Sequence, residues 1–86
     1  TGPIKMFHYV YLIQSIKYPK TTYAGYTTNL KQRLVTRNSG GSVHTKKDRP
    51  WKLIVCMAFE SMDCAKQFEK YLKSHAGRSF ASKRFW

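Results

Sequence analysis

Acidic residues are scarce in this chain. Four Asp and Glu residues stand against 16 Lys and Arg among 86 residues, which gives a formal net charge of +12. Such an excess of one sign destabilises the compact state through self-repulsion and is typical of a protein whose partner is a polyanion. The scarcity also limits any metal site to very few carboxylates.

Cysteines and long apolar runs are few as well. Cys56 and Cys64 are the only cysteines, and their spacing fits neither a CxxC pair nor a zinc site. We expect free, buried thiols in a reducing cytoplasm. No apolar run approaches the roughly 18 residues of a membrane-spanning helix, and we expect no secretion signal. These absences predict a cytoplasmic protein that does not bind membranes.

The residues that are present support one compact core. Hydrophobic residues make up 42% of the chain and aromatics 15%, so we expect a single domain over residues 1–86, with residues 1–5 partly non-native. Aromatic and β-branched runs at 7–14, 22–26 and 51–59 predict three strands. The first and third are apolar enough to be covered on both faces. A hairpin centred on Lys17 would place Tyr11 directly opposite Tyr23, about 5 Å away at Cβ.

Two helices are predicted from capping residues and apolar spacing. Thr28 or Asn29 can cap the first and Ser61 the second. In the first helix Leu30, Leu34 and Val35 are expected to face inward, and Lys31, Arg33 and Arg37 to point elsewhere. The predicted fold class is α+β: a three-stranded, mainly antiparallel sheet flanked by helices, in the order β-β-α-β-α with a short C-terminal helical turn.

Two tripeptides, an arginine and a glutamate stand at set intervals. The tripeptides are Tyr9-Val10-Tyr11 and Tyr23-Ala24-Gly25; Arg33 follows Tyr23 by ten residues, and Glu69 lies in the segment AKQFE. In this order and spacing they resemble the motifs of the GIY-YIG nuclease family. The resemblance covers residues 7–72, and the tail GRSFASKRFW is similar to that of small stand-alone bacterial members. Tyr9 stands in place of a glycine and Ala24 in place of an isoleucine.

The resemblance implies a divalent-metal-dependent endonuclease that hydrolyses DNA phosphodiester bonds with one Mg²⁺ or Mn²⁺. Glu69 would hold the metal, Tyr11 would activate water, and Tyr23 would contact the scissile phosphate or the same network. Arg33 would stabilise developing charge. His44 matches a loop histidine able to exchange a proton.

Each of these residues also has a purely structural interpretation. Glu69 can pair with Lys73 four residues later, the tyrosines can pack in the core, and Arg33 and His44 can be solvated surface residues. The few carboxylates argue against two metal ions. They are compatible with one ion whose remaining ligands are water and phosphate.

Further residues are candidates for binding the nucleic-acid backbone. Gly25 permits close approach, Tyr26 follows it, and basic residues supply charge: Arg37, Lys46, Lys47, Arg49, Arg78, Lys83 and Arg84. Since no helix-turn-helix or zinc-finger spacing is present, we expect DNA to be selected by structure rather than sequence, in repair or recombination at a bacterial nucleoid, with a protein partner supplying specificity.

Two other functions remain open from the sequence: a non-catalytic nucleic-acid-binding module of the same fold, and a ribosome-associated structural protein. A double-stranded-RNA-binding domain should begin with a helix, whereas this chain begins with a strand.

Overall fold

A computed structural model describes residues 6–40 and 46–86. Its elements are β1 (His8–Ser15), β2 (Thr22–Thr27), α1 (Leu30–Asn38), β3 (Trp51–Phe59), α2 (Met62–Lys73) and α3 (His75–Arg84), with one 3₁₀ turn at Lys46–Asp48. The predicted α+β class and element order are confirmed. None of these helices is long and apolar enough to cross a membrane.

The C-terminal turn is longer than predicted, because α3 is a helix of ten residues. Ser74 ends α2 and caps α3, and its hydroxyl accepts a hydrogen bond from the Gly77 amide at 3.2 Å. A Cβ at position 77 would overlap the Tyr71 carbonyl. Gly77 therefore lets the two helices meet closely at this corner instead of ending the helical structure.

The sheet has the order β2-β1-β3, and both neighbours of β1 run antiparallel to it. The expectation that the first strand is covered on both faces is confirmed, with Val10, Tyr11, Leu12 and Ile13 all buried. The same expectation for the third strand is wrong. β3 lies at an edge of the sheet, and only Trp51 of its nine residues is buried, because helices cover the middle of so small a sheet better than its margins.

The predicted pairing of Tyr11 with Tyr23 is also wrong. Tyr11 pairs with Gly25, and Tyr23 pairs with Ile13. The cause is the turn, which is closed by the Thr21 amide donating to the Tyr18 carbonyl at 2.8 Å rather than being centred on Lys17. A shift of two positions keeps every side chain on its face, so the two tyrosines are diagonal neighbours on one face.

Two apolar clusters cover the two faces of β1. Val10 and Leu12 pack with Ala65, Leu72 and Ala81 of α2 and α3. Tyr11, Ile13 and Trp51 form the second cluster, against which Leu30 and Leu34 of α1 pack. Helices therefore lie on both sides of the central strand.

Three details of side-chain burial differ from expectation. Val35 is 62% exposed instead of facing inward, and Arg37, expected to point away from the core, is the only buried residue of α1. Both cysteines are free as expected, but Cys64 is exposed and Cys56 half-buried, and burial raises the pKa of the Cys56 thiol.

Asn38 fastens the end of α1 to the start of β3. Its side-chain amide donates to the Trp51 carbonyl at 3.2 Å, and its side-chain oxygen accepts from the Trp51 amide at 2.5 Å. One side chain thereby satisfies both backbone groups of the first residue of an edge strand. This link fixes the position of the helix that carries Arg37.

We predict that Asn38→Ala lowers the free energy of unfolding by about 1–3 kcal/mol, because it leaves two partly buried backbone groups without their partner. Thermal and urea denaturation would measure the loss. Lys31→Ala, at an exposed position of the same helix, is the control. Equal stability of the two variants would show that the Asn38 hydrogen bonds contribute little.

Candidate active site

Arg37 joins the two tyrosines that the sequence motifs single out. Its Nη2 donates to the hydroxyl of Tyr11 at 3.3 Å and to the hydroxyl of Tyr23 at 3.3 Å. The guanidinium carbon lies 4.6 Å from the centre of the Tyr23 ring. Tyr11 and Tyr23 are diagonal neighbours in the sheet, and the Arg37 guanidinium bridges them by binding both of their hydroxyl groups.

The sequence of α1 places Arg37 at this point. Asn29 caps the helix by accepting from the Gln32 amide at 3.1 Å, and Thr27 at the end of β2 accepts from the Asn29 amide at 3.1 Å. The helix therefore begins directly from the strand that carries Tyr23. Leu30, Leu34 and Arg37 then follow at spacings of four and three, which puts them on one inward face.

Sequence reasoning missed this role because arginine was assumed to face solvent. The signal was present in the spacing from Leu34 to Arg37. Arg37 keeps only 8% of its surface exposed, and this position favours contact with the tyrosines over contact with DNA. Its predicted contact with DNA phosphate stays a prediction.

The charge of Arg37 survives this burial. Burial alone lowers the pKa of Arg37, but its hydrogen bond to Tyr11, the charge that Tyr11 and Tyr23 can carry, and its hydrogen bond to Tyr23 outweigh that effect and raise the pKa from the ordinary value. A buried cation is tolerated only where partners of this kind compensate for lost hydration. The site therefore holds a fixed positive charge against two phenol oxygens.

Gly25 makes room for the Tyr11 ring. A Cβ built on Gly25 would overlap the hydroxyl oxygen and Cζ of Tyr11 and lie 2.9 Å from its Cε1. The close approach expected at this glycine is therefore made by the phenol of its pairing partner. Any side chain at position 25 would displace the oxygen that Arg37 holds.

Glu69 adjoins the tyrosines through Lys73. The Lys73 ammonium lies 3.3 Å from the Glu69 carboxylate and 5.4 Å from the centre of the Tyr23 ring. The helix pair considered from the sequence is thus present, and it connects α2 with the face of β2 that carries Tyr23. The Glu69 side chain keeps 23% of its surface exposed, so solvent reaches the carboxylate.

The Glu69 carboxylate fits one hard divalent cation. Mg²⁺ is usually held by one or two carboxylates and keeps several waters or substrate phosphates as its other ligands. A single solvent-accessible carboxylate meets that requirement. Within residues 6–40 and 46–86 no group of three or more His, Cys, Asp or Glu could hold a metal, so a cage built wholly from those side chains does not fit.

The other predicted catalytic residues, Arg33 and His44, and the predicted nucleic-acid-binding residue Tyr26 have different positions. Arg33 is exposed one turn before Arg37 and borders a shallow depression of about 310 Å³ at the start of α1, where a phosphate can reach it. His44 lies outside the described residues. Tyr26 packs with the α2 and α3 cluster on the opposite face of the sheet, and its hydroxyl lies 2.7 Å from Nδ1 of His8.

The predicted backbone-binding cations fall into two groups. Lys46, Lys47 and Arg49 surround a depression of about 420 Å³ together with Lys17, a cation not among the predicted backbone-binding residues. Arg78, Lys83 and Arg84 are exposed on α3, and Arg78 borders a larger groove beside Tyr23. Phosphate binding by either group is a prediction.

This arrangement of tyrosines, arginine and glutamate on a small α+β fold corresponds to a known class of domain. Residues 7–83 match the family model described as the GIY-YIG catalytic domain, and the chain belongs to that family. The predicted family is therefore confirmed, and the matched model, that of a catalytic domain, supports the predicted enzyme class, a GIY-YIG-type endonuclease.

The relatives include bacterial and fungal proteins. The chain is 38% identical over 72 residues to a UPF0213 protein of Streptococcus pyogenes serotype M3, an alignment covering 83% of this chain and 76% of the relative. It is 40% identical over 77 residues to the structure-specific endonuclease subunit SLX1 of Candida dubliniensis, but spans only 27% of that protein's length. The solution NMR structure of a UPF0213 protein from Bacillus halodurans has 30% identity and a TM-score of 0.56, covering 93% of this chain and 87% of that one.

We predict that Gly25→Ala destabilises the protein by about 1–3 kcal/mol, because the new methyl group overlaps the Tyr11 phenol in a packed site. It should also abolish cleavage, since Tyr11 leaves Arg37. Denaturation and a DNA-nicking assay would measure the two effects. Gln67→Ala, at an exposed position of α2, should change neither. Wild-type activity in Gly25→Ala would show that the position of the Tyr11 hydroxyl does not matter.

We predict that Arg37→Lys lowers cleavage at least tenfold, because a single ammonium reproduces the planar guanidinium contact with two acceptors poorly. Metal-free binding of duplex DNA should remain near that of the wild type, since Arg37 is buried. Lys31→Arg, a charge-preserving exchange at an exposed position of the same helix, serves as a control in both assays. A matching loss of affinity and cleavage in Arg37→Lys would instead assign Arg37 to phosphate binding, as the sequence suggested.

Proposed function

We propose that the protein hydrolyses DNA phosphodiester bonds with the aid of one divalent cation, Mg²⁺ or Mn²⁺. The observation that carries the proposal is the pair of hydrogen bonds from Arg37 to Tyr11 and Tyr23, with Glu69 adjoining them through Lys73. Family membership supports the same chemistry, because the matched model is that of a catalytic domain.

Tyr11 would take the proton from the attacking water once the side chains around its buried hydroxyl move and let water reach it. The guanidinium of Arg37 lies against its oxygen, and a nearby positive charge stabilises a phenol oxygen that bears negative charge. As the water oxygen bonds to phosphorus, the bond to the leaving oxygen breaks, and that oxygen takes a proton from solvent. Tyr23, held by the same guanidinium, would orient the phosphate or the water.

Arg33, which is exposed to solvent, would bind the phosphate group of the bond that is cleaved. Its exposed guanidinium lies one turn before Arg37, and a planar fork of donors is suited to two phosphate oxygens. Charge developing on those oxygens in the transition state is stabilised by such donors. The exposed arginine would thus act on the substrate, and the buried one on the tyrosines.

Glu69 would hold the cation, which when bound polarises the phosphoryl oxygen and offsets its developing charge. Lys73 now occupies this carboxylate at 3.3 Å, so binding of the cation requires the ammonium to move away. A substrate phosphate offers Lys73 another partner. When cation and substrate bind, the ion pair would therefore break, with Glu69 contacting the cation and Lys73 contacting the phosphate.

DNA selected by structure is the proposed substrate. The fungal relative is a structure-specific endonuclease subunit, which favours a substrate recognised by shape and a partner protein that contributes to selection. Cations on the surface bind the phosphate backbone without distinguishing sequences. A role in DNA repair or recombination follows from such a substrate.

The non-catalytic module remains the competing proposal, and the Glu69–Lys73 ion pair favours it, because a carboxylate that serves only its own helix needs no metal. We predict that supercoiled plasmid is nicked with Mg²⁺ or Mn²⁺ and not with EDTA, and that Glu69→Gln loses this activity without losing stability. Glu60→Gln, an exposed acid before α2, is the matched control.

Tyr11→Phe belongs in the same assay, with an expected loss of cleavage of about 10²–10⁴-fold, the usual contribution of a general base. DNA affinity should change far less. Nicking that persists in Glu69→Gln would refute the metal site. Absence of nicking in all proteins, on branched and damaged DNA as well as plasmid, would establish the binding module.

A further inference from the structure

A groove of about 670 Å³ lies beside the candidate active site. One side is the start of β2 with the turn before it, and the other is the end of α2 with α3 and the residue Trp86. Its volume is within the roughly 300–1,000 Å³ typical of pockets that enclose a ligand. The groove is therefore large enough for a nucleotide-sized group.

The charge of the groove has one sign. Lys20, Lys73 and Arg78 border it, and none of the described residues lining it is acidic. These cations come from three separate elements: the hairpin turn, α2 and α3. A phosphodiester chain passing through the groove would meet positive charge from both sides.

The groove also offers an aromatic surface beside an apolar floor. Trp86 is 39% exposed, and its backbone amide donates to the Ala81 carbonyl at 3.3 Å. Leu12, Ala24 and Leu72 form the floor. Basic grooves with accessible aromatic rings bind single-stranded nucleic acid, because phosphates lie on the cations and bases stack on the rings.

The groove is continuous with the proposed catalytic residues. Tyr23 and Lys73 both line it; Tyr23 accepts a hydrogen bond from Arg37, and Lys73 pairs with Glu69. A strand lying in the groove would pass beside both groups. The nucleotides bound in the groove and the phosphate that reacts would then belong to the same DNA strand.

We propose that this groove binds an unpaired segment of the substrate strand next to the phosphodiester bond that is cleaved, with a base stacked on Trp86 and phosphates on Lys20 and Arg78. The proposal rests on the proposed nuclease function. A paired base is excluded, because its faces are covered by its neighbours in the duplex and must be unstacked before a side chain can stack on them. The substrate is thus DNA with a single-stranded segment beside the cut.

The test is binding of a short oligothymidylate in EDTA, followed by tryptophan fluorescence. Stacking of thymine on Trp86 should quench its emission, whereas Trp51, 4% exposed, is inaccessible. Trp86→Phe should retain most of the affinity and lose the quenching. Trp86→Ala should weaken binding roughly tenfold, the usual effect of removing one aromatic ring from beneath a base. Equal quenching in wild type and Trp86→Phe would overturn the proposal.

A second arm tests the cations. Lys20→Ala combined with Arg78→Ala should reduce the slope of log affinity against log salt by about 1.4, at about 0.7 for each phosphate of a single strand that is no longer neutralised. Lys31→Ala combined with Lys52→Ala removes the same charge from exposed positions outside the groove and should leave the slope unchanged. Equal slopes in both double variants would refute the groove.

These outcomes are separable from failure of the nuclease, because binding is measured without metal or turnover. Quenching that depends on Trp86, in a protein that never cleaves DNA, would support the groove and refute the nuclease. Cleavage that requires Glu69, with no preference for a duplex bearing a single-stranded end over a blunt duplex, would support the nuclease and refute the groove.

Discussion

The structure depends on a cation buried against two phenols. Arg37 lies where β1, β2 and α1 meet, and its guanidinium contacts Tyr11 and Tyr23 at once. In a chain of net charge +12, burial of one of the positive charges removes its hydration and holds it in the repulsive field of the others. Two hydrogen bonds and a cation–π contact offset that cost and fix the two tyrosines. The cation–π contact alone contributes about 0.5–2 kcal/mol.

Fold and site are consequently built from the same contacts. Gly25 accommodates the Tyr11 ring, Asn38 fixes the helix that carries Arg37, and Thr27 with Asn29 joins that helix to β2. None of these residues needs to touch a substrate. They set the position of two phenol oxygens, and chemistry that depends on distances of about 3 Å cannot tolerate loose support.

Much of this could be predicted from the sequence. Aromatic and β-branched runs indicate strands with little ambiguity, and Asn29 and Ser61 are caps because their side chains can accept from amides of the first turn. The register of β1 against β2 could not be predicted, because the sequence allows a turn over Tyr18–Thr21 as well as a turn centred on Lys17, and each gives a different pairing. Arg37 was missed because burial of an arginine depends on partners from two strands, which the sequence of α1 does not contain.

The edge position of β3 shows the same limit. Its apolar composition fits a covered strand, yet coverage depends on where the helices lie. Among the strands, α2 packs mainly against β1 and β2, and α1 meets β3 at its first residue, Trp51. Local sequence determines whether a segment forms a strand or a helix more directly than it determines the position of that segment in the fold. The groove beside Tyr23 likewise arises from residues of three elements distant in sequence.

The central position of β1 has a consequence for motion. Tyr11 is on the strand with hydrogen-bonded neighbours on both edges and helices on both faces. Amides in such strands exchange with solvent only when most of the molecule opens, whereas helix surfaces and chain ends open at far lower free energy. We therefore expect the backbone of β1 at Tyr11 to stay in place through every fluctuation short of global unfolding, while Glu69 and Lys73 on α2, and Trp86 after α3, adjust to a ligand.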